Sequence, residues 1–280
     1  MKVEELMTKD PIVAEVPGHR DDALRLLVQH SVSGVPVVKS KTRKLAGVVT
    51  RSDIFRQPEE EQLALIMTSQ PQMCSPKDEV SRAARIFWER RIHGLPVVAG
   101  DELVGVISPS DILRVIAEQN SKRTTDEFMV KGNVAPVFEE TPLTVAWETM
   151  RVCHQNALPV LDQDARLVGI VADSDLFKKS TVDDVVKKGA QALAEDEDVW
   201  TWDGFRAIMP LYLATSKVKI PRVHVKEIMV REVQTVFQKT SVAEAARKMR
   251  RYKVNQLPVI DTNDRLVGMV TDLDLMAAMI

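Results

Sequence analysis

The sequence has few of the residues from which disulfide frameworks, metal sites and membrane anchors are built. Its 280 residues include two cysteines, Cys74 and Cys153, in no CxxC or Cys/His spacing, so neither a disulfide framework nor a zinc site is indicated. No apolar run approaches the roughly 18 residues of a membrane span, and residues 1–6 lack the apolar core of a secretory signal. We therefore expect a cytoplasmic protein with reduced thiols.

The sequence also lacks the patterns that indicate catalysis or general nucleic-acid binding. It contains no GxSxG, no P-loop Gly-Lys pair, no HExxH and no context that would activate a cysteine nucleophile. The formal net charge is −2, which gives no electrostatic reason to expect nucleic acid as a partner, although a local basic groove would escape this measure. We expect a protein that is not an enzyme and holds no metal.

The sequence contains one motif pattern that is repeated four times. Each copy has an opening Met, a turn and apolar strand resembling GhPVV, a second apolar strand resembling LVGhV, and a segment resembling [T/S]xxD. The opening Met precedes the strand proline by 29, 29, 30 and 29 residues. This regular spacing indicates a repeat protein. The four anchor pairs are Met7 and Pro36, Met67 and Pro96, Met129 and Pro159, and Met229 and Pro258.

Within each copy the hydrophobic period changes from strand to helix and back. A short β-prone piece, such as Ile12-Val13, precedes apolar residues at helical spacing. The two strands are nearly continuous apolar runs, which indicates that both of their faces are covered. A closing helix follows, so each copy is predicted to be β-α-β-β-α. The helix face of the third copy, for example, is predicted to hold Val145, Ala146, Thr149 and Met150.

A repeat of about 55 residues buries too little surface to be stable alone, so the repeats are expected to pack in pairs, first with second and third with fourth. The predicted fold class is α+β. The predicted ranges are 1–60 for repeat 1, 61–120 for repeat 2, 121–178 for repeat 3, 179–223 for an insertion and 224–280 for repeat 4.

The insertion begins with an amphipathic pattern and continues with an acidic run and two tryptophans, Trp200 and Trp202. It is not a flexible linker of the Gly/Ser kind. The tryptophans either pack against a neighbouring repeat, which is the commoner role of a large aromatic residue, or belong to an arm or lid that meets a partner or covers a site.

The opening Met, GhPVV, LVGhV and [T/S]xxD, in this order and at this spacing, resemble the CBS domain (cystathionine-β-synthase motif). The resemblance covers four copies and nearly all of the chain outside residues 179–223. It implies two Bateman modules, each a pair of repeats with clefts for adenosine-containing ligands, as in the gamma subunit of AMP-activated protein kinase and in stand-alone archaeal four-CBS proteins. The modules either stack into one disc within the chain or dimerise through another molecule.

The [T/S]xxD segments are the candidate ribose contacts. A carboxylate and a hydroxyl beside each other suit the two adjacent hydroxyls of a ribose, but the same arrangement is also an ordinary helix cap. The third copy has Ala172 in place of the hydroxyl residue, so we expect a weaker or empty site there. The predicted ribose-binding residues are Thr50, Asp53, Ser108, Asp111, Asp175, Thr271 and Asp274.

The resemblance also implies contacts to adenine and phosphate. Apolar residues of the turns and of the first β-prone pieces would contact adenine: Val35, Leu95, Leu158 and Leu257 before the turn prolines, and Ile12 and Val134 in the β-prone pieces. Cations would contact phosphate: Arg51 inside the first [T/S]xxD segment, His93 before the second turn, and Arg250 on a helix.

Together these features predict a regulatory protein that binds AMP, ADP or ATP between paired repeats and passes its state to a protein partner or to a second copy of itself. The regulatory nucleotide is the only ligand expected, with no cofactor. One alternative is a protein for S-adenosylmethionine or another adenosyl ligand. Another is a scaffold whose [T/S]xxD segments serve only as helix caps.

Overall fold

The structure is a computed structural model that describes residues 1–30, 32–57, 60–119, 121–129, 134–172, 175 and 222–280. Nearly all of the predicted insertion, with both readings of its tryptophans, lies outside the described residues. No helix within the described ranges is long and apolar enough to span a membrane.

The described residues form an α+β fold with four small sheets of three strands each, ordered β1-β6-β5, β2-β3-β4, β7-β8-β9 and β10-β11-β12. The strands are β1 (Thr8–Lys9), β2 (Ala14–Val16), β3 (Gly34–Lys39), β4 (Leu45–Thr50), β5 (Leu95–Ala99), β6 (Glu102–Ile107), β7 (Val137–Phe138), β8 (Ala157–Leu161), β9 (Leu167–Ala172), β10 (Val236–Phe237), β11 (Gln256–Ile260) and β12 (Leu266–Thr271). The helices are α1 (Arg20–Gln29), α2 (Arg51–Arg56), α3 (Leu63–Ile66), α4 (Val80–Arg90), α5 (Pro109–Glu118), α6 (Leu143–Cys153), α7 (Val242–Tyr252) and α8 (Asp272–Leu275).

Each repeat follows the predicted order. A short strand, or in repeat 2 a single parallel bridge between Cys74 and Val97, leads to a helix and an antiparallel hairpin. In repeats 1, 2 and 4 a closing helical segment follows, whereas the residues that would form it in repeat 3 lie almost entirely outside the described ranges. The first short strand pairs in parallel with the first hairpin strand in repeats 1, 3 and 4. The first strand of each hairpin is apolar and almost wholly buried, as Val35–Val38 of β3 are, because both of its faces are covered. The second strand is apolar too, but in β4, β6 and β9 its residues alternate between buried and more exposed positions.

Two details of the sequence-based prediction are corrected. In repeat 1 the first strand starts at Ala14, after the β-prone pair Ile12-Val13. On α6 the buried face consists of Leu143, Ala146 and Met150, whereas Val145 is 51% exposed. A helix turns about 100° per residue, so the residue next to a buried position can already face solvent.

The chain divides into two compact units, and the division runs through repeat 4. Unit 1 contains Met1–Met129, Lys239–Leu257 and Val270–Ile280, and unit 2 contains Val130–Gln238 and Pro258–Met269. Within unit 1 the helices of repeat 4 pack on those of repeat 2: α7 lies on α5, and the C-terminal 3-10 turn Met276–Met279 lies on α4. Arg247 of α7 donates a hydrogen bond to the Ala117 carbonyl at 2.8 Å.

Paired repeats exchange their opening segments, which the sequence did not predict. In unit 1 the strand β1 of repeat 1 pairs with β6 of repeat 2, and Thr68 of repeat 2 exchanges two hydrogen bonds with Val48 of repeat 1. In unit 2 the residue after the opening Met of repeat 4, Val230, makes the same pair of bonds with Ile170 of repeat 3. Pairing of first with second and third with fourth repeat is thereby confirmed.

The exchange brings three opening methionines, Met7, Met67 and Met229, onto the glycine of the partner's second hairpin strand. A Cβ built on Gly47 would lie 2.9 Å from Met67 Sδ, and one built on Gly105 would lie 2.7 Å from Met7 Sδ. In unit 2 a Cβ on Gly169 would lie 2.4 Å from the sulfur of Met229. Real Cβ atoms do not sit this close to other atoms. The opening Met and the LVGhV glycine are therefore two halves of one contact.

We predict that Gly47→Ala lowers stability by about 1–3 kcal/mol, the usual cost of overpacking a close contact. The added Cβ would lie 2.6 Å from the Thr68 carbonyl oxygen, which belongs to the backbone and cannot turn aside. Gly94→Ala is the matched control, because a Cβ there meets nothing within 4 Å. Urea unfolding of the two variants tests the contact, and equal midpoints for both would contradict it.

The two thiols should differ sharply in reactivity. Burial raises the pKa of the Cys74 thiol to about 12, whereas Cys153 is only partly buried. At pH 8 about one Cys74 side chain in ten thousand would be the reactive thiolate. We predict that a disulfide reagent modifies Cys153 in the folded protein and reaches Cys74 only on unfolding. In Cys153→Ser the folded protein should remain unmodified; rapid labelling of that variant would contradict the prediction.

Candidate ligand-binding site

The [T/S]xxD segment of repeat 1 forms a closed cap at the start of α2. Asp53 Oδ2 accepts hydrogen bonds from the Thr50 hydroxyl at 2.6 Å and from the Thr50 backbone N–H at 2.9 Å. The Asp53 N–H in turn donates to Thr50 Oγ1 at 3.3 Å. This reciprocal arrangement is a capping box. The hydroxyl and one carboxylate oxygen are thus already used by the protein.

The other repeats vary this cap in the way their sequences suggest. Asp111 Oδ2 accepts from the Ser108 hydroxyl at 2.7 Å, and Asp274 Oδ2 accepts from the Thr271 hydroxyl at 2.7 Å. Asp175 Oδ2 accepts only from the backbone N–H of residue 172, at 3.0 Å, because that residue is alanine. Each of the four caps therefore uses the same carboxylate oxygen, and the third lacks one donor.

The second carboxylate oxygen distinguishes the repeats. No described residue lies within hydrogen-bonding or ion-pairing distance of Oδ1 in Asp53, Asp111 or Asp175, all three of which are partly exposed. Asp274 differs, because its Oδ1 accepts a hydrogen bond from Arg91 Nη1 at 2.7 Å and its side chain is only 4% exposed. A cap with one oxygen spare can serve the helix and a ligand at once.

The surroundings of the repeat 4 cap come from repeat 2 as well as repeat 4. Arg91 also donates through Nη2 to the Thr271 hydroxyl oxygen at 3.4 Å. Beside it, His93 Nε2 lies 3.6 Å from Asp272 Oδ1, which also accepts the Leu273 N–H at 2.7 Å. Sequence reasoning assigned no role to Arg91 or Asp272. The sequence held two signals. Arg91 stands two residues before His93, and Asp272 follows Thr271 in repeat 4 where Arg51 follows Thr50 in repeat 1.

The residues predicted to contact phosphate lie in different surroundings. Arg51 Nη2 donates to the Leu27 carbonyl of its own repeat at 3.4 Å, His93 faces Asp272, and Arg250 lies exposed on α7. The structure records no contact among these three described residues. Their phosphate roles stay predictions.

The residues predicted to contact adenine divide into two groups. Val35, Leu95, Leu158 and Leu257 are at most 2% exposed, so their side chains belong to the cores of their repeats and offer no surface to a ligand. Ile12 is 36% exposed and Val134 is partly exposed, so these two retain accessible apolar surface.

Comparison with known proteins extends these observations. The CBS domain family model matches residues 3–60, 62–118, 126–181 and 225–280. Protein MJ1225 of Methanocaldococcus jannaschii, proposed as an archaeal homologue of the AMPK gamma subunit, has a solved structure that aligns over 100% of both chains with a TM-score of 0.76 and 20% identity. Its curated sequence is 25% identical over 193 residues, which cover 63% of this chain and 69% of the relative.

Other relatives are similar in fold or in part of their length. A conserved protein of Pyrococcus horikoshii aligns over 100% of both chains with a TM-score of 0.71 and 25% identity. The chloroplastic protein CBSX1 of Arabidopsis thaliana is 30% identical over 53% of this chain. The match spans 60% of CBSX1, and the match to an inosine-5'-monophosphate dehydrogenase of Korarchaeum cryptofilum spans 26% of that enzyme.

Four repeats, each with a helix, an apolar hairpin and a capping aspartate, account for nearly every described residue, and in three of them the opening methionine contacts the glycine of the partner repeat. The family model independently matches those four repeats one by one. The chain belongs to the CBS domain family, with four CBS repeats arranged as two pairs.

Proposed function

We propose that the protein is a non-catalytic sensor that binds AMP, ADP or ATP through the [T/S]xxD caps and passes the bound state to a protein partner or to a second copy of itself. The observation that carries the proposal is the second carboxylate oxygen, which has no partner among the described residues in repeats 1, 2 and 3. A partly exposed carboxylate oxygen without a partner is a ready acceptor.

The chemistry of a ribose suits this acceptor. A vicinal diol offers two hydroxyl donors, and a carboxylate accepts such bonds more strongly than a neutral oxygen does. The cap holds the carboxylate in place through its other oxygen, so little side-chain entropy is lost when the ligand binds. The resemblance of the four repeats to CBS domains, which implies clefts for adenosine-containing ligands, favours an adenine nucleotide over other ribose compounds.

A ligand can change the protein's state only if it binds two arrangements with different affinity. Two arrangements of a repeat pair would meet this requirement. Each cap belongs to one repeat, and the methionine contact joins repeats to their partners, so a ligand at the cap can favour one arrangement of the pair over the other. A scaffold without ligand is the second candidate. It is favoured by the closed capping boxes, in which the hydroxyl and one oxygen are already satisfied.

Asparagine substitution separates the two candidates. In Asp53→Asn and Asp111→Asn the side-chain carbonyl can keep the cap while an amide donor replaces the free acceptor. We predict at least tenfold weaker binding at the altered site, because a hydrogen bond to a charged group contributes about 1.5–3 kcal/mol. Titration calorimetry with AMP, ADP, ATP and S-adenosylmethionine, on protein stripped of co-purified ligand, measures this.

The chain offers a matched control in Asp78→Asn. Asp78 accepts from the Ser75 N–H at 2.8 Å in the same Ser-x-x-Asp spacing, but outside the four repeat caps. It should leave nucleotide affinity unchanged. If none of the four ligands binds the unaltered protein, the result would favour the scaffold. If S-adenosylmethionine alone binds, the ligand is another adenosyl compound and not a nucleotide.

Ala172→Thr tests the same proposal by gain of function. The new hydroxyl would restore the missing member of the repeat 3 cap, and one neutral hydrogen bond contributes about 0.5–1.5 kcal/mol. We predict that nucleotide affinity at repeat 3 rises by about twofold to tenfold, seen as an added or tighter site in calorimetry. Ala172→Val, with a similar shape and no hydroxyl, should not do this; equal effects of both variants would contradict a polar role.

A further inference from the structure

The repeat 4 cap is the one described cap whose second carboxylate oxygen already has a cation. Arg91 lies over both members of the pair, with Nη1 2.7 Å from Asp274 Oδ1 and Nη2 3.4 Å from Thr271 Oγ1. A ribose that binds Asp274 as proposed for the other repeats must first displace this guanidinium. The free-energy cost of this displacement depends on whether the ligand gives Arg91 a new anionic partner.

Arg91 is placed for this by its backbone. It is the C-cap of α4 in the left-handed conformation, with φ of 52°. Its side chain is 48% exposed while that of Asp274 is 4% exposed. The arginine can therefore swing away into solvent, but the carboxylate cannot, and a buried carboxylate that loses its cation is strongly disfavoured.

Repeat 4 carries an equivalent residue that serves as an internal comparison. Lys253 is the left-handed C-cap of α7, with φ of 54°, and like Arg91 it stands five residues before the strand proline. Among the described residues it makes no ion pair, and Asp111 Oδ1 of repeat 2 has no cation. The Arg91 contact is thus a property of this residue and not of the repeat in general.

We propose that Arg91 makes the repeat 4 cap selective for adenosyl ligands that carry a phosphate. This inference rests on the proposed function. A neutral nucleoside would replace the guanidinium on Asp274 with hydroxyl groups and leave Arg91 without a partner. A phosphorylated ligand takes the carboxylate with its ribose and gives the displaced guanidinium a new anion, for which its planar fork is suited.

The charges around the cap support the same assignment. Asp272 and Asp274 are both buried, and among the described residues the basic side chains beside them are Arg91, which is a cation, and the His93 imidazole. Without Arg91 two neighbouring carboxylates would face the ligand with the imidazole alone beside them. Phosphate would then be repelled, since like charges at short range are unfavourable in a partly buried site.

The test uses the full chain with Asp53→Asn, Asp111→Asn and Asp175→Asn, which leaves Asp274 as the one repeat cap that keeps both carboxylate oxygens. AMP and adenosine are titrated by calorimetry. We expect AMP to bind at least tenfold more tightly than adenosine. Adding Arg91→Gln should reduce this preference to threefold or less, with weaker AMP binding and adenosine binding that is unchanged or tighter. Arg91→Lys should keep part of the preference, and Lys253→Gln should keep all of it.

A complementary comparison leaves Arg91 intact, so it holds even if Arg91→Gln fails to fold. The single variant Asp274→Asn retains the caps without an ion pair, and their preference for AMP over adenosine should be smaller than that of repeat 4. This inference would be overturned if repeat 4 and the other caps prefer AMP over adenosine equally, or if the preference at repeat 4 persists in Arg91→Gln. Neither outcome would contradict nucleotide binding itself. Absence of AMP binding to the unaltered protein would overturn the inference and the proposed function together.

Discussion

The rest of the structure depends on the contact between an opening methionine and a glycine of the partner repeat. Met67 Sδ lies 2.9 Å from the position that a Cβ on Gly47 would take, and Met7 Sδ lies 2.7 Å from the position of a Cβ on Gly105. Because each repeat lends its opening segment to the other, neither hairpin edge is left exposed in the pair, and neither repeat is complete alone. A unit of this size buries too little surface to be stable by itself, so this shared burial contributes to the stability of both repeats. The caps inherit their position from it, since each begins at the end of the hairpin strand that carries the glycine.

The sequence predicted the elements of each repeat well and their exchange not at all. Apolar residues at helical spacing identified the buried face of α4, with Val80, Ala83, Ala84 and Phe87 all buried. Hydrophobic period reports which face of one element is covered, but it carries no information on which repeat provides the cover. The methionine and glycine were visible as fixed positions, and their spacing gave no sign that they touch. The error at Val145 has a smaller cause, because one residue at the border of a helix face is not decided by periodicity.

The candidate site shows a similar limit. From sequence, a helix cap and a ligand contact were alternatives for Thr50 and Asp53, because both need the same residues at the same spacing. In the structure the two roles fall on different oxygens of one carboxylate, with Oδ2 in the cap and Oδ1 free of described partners in three repeats. No sequence pattern distinguishes the two oxygens of an aspartate. Nor could it indicate the ion pair of Arg91 with Asp274, whose members stand 183 residues apart.

If ligands bind the caps as proposed, that ion pair connects ligand chemistry with the packing of repeats. Arg91 belongs to repeat 2 and Asp274 to repeat 4, and in unit 1 the helices of these two repeats pack together through α5 and α7. A ligand that draws Arg91 away from Asp274 removes a contact between repeats, so its binding and their packing are energetically linked. A ligand bound at a cap whose second oxygen is free removes no such contact. If all four caps bind the same nucleotide, binding at repeat 4 therefore changes the contact between repeats 2 and 4. Binding at the other described caps leaves that contact in place.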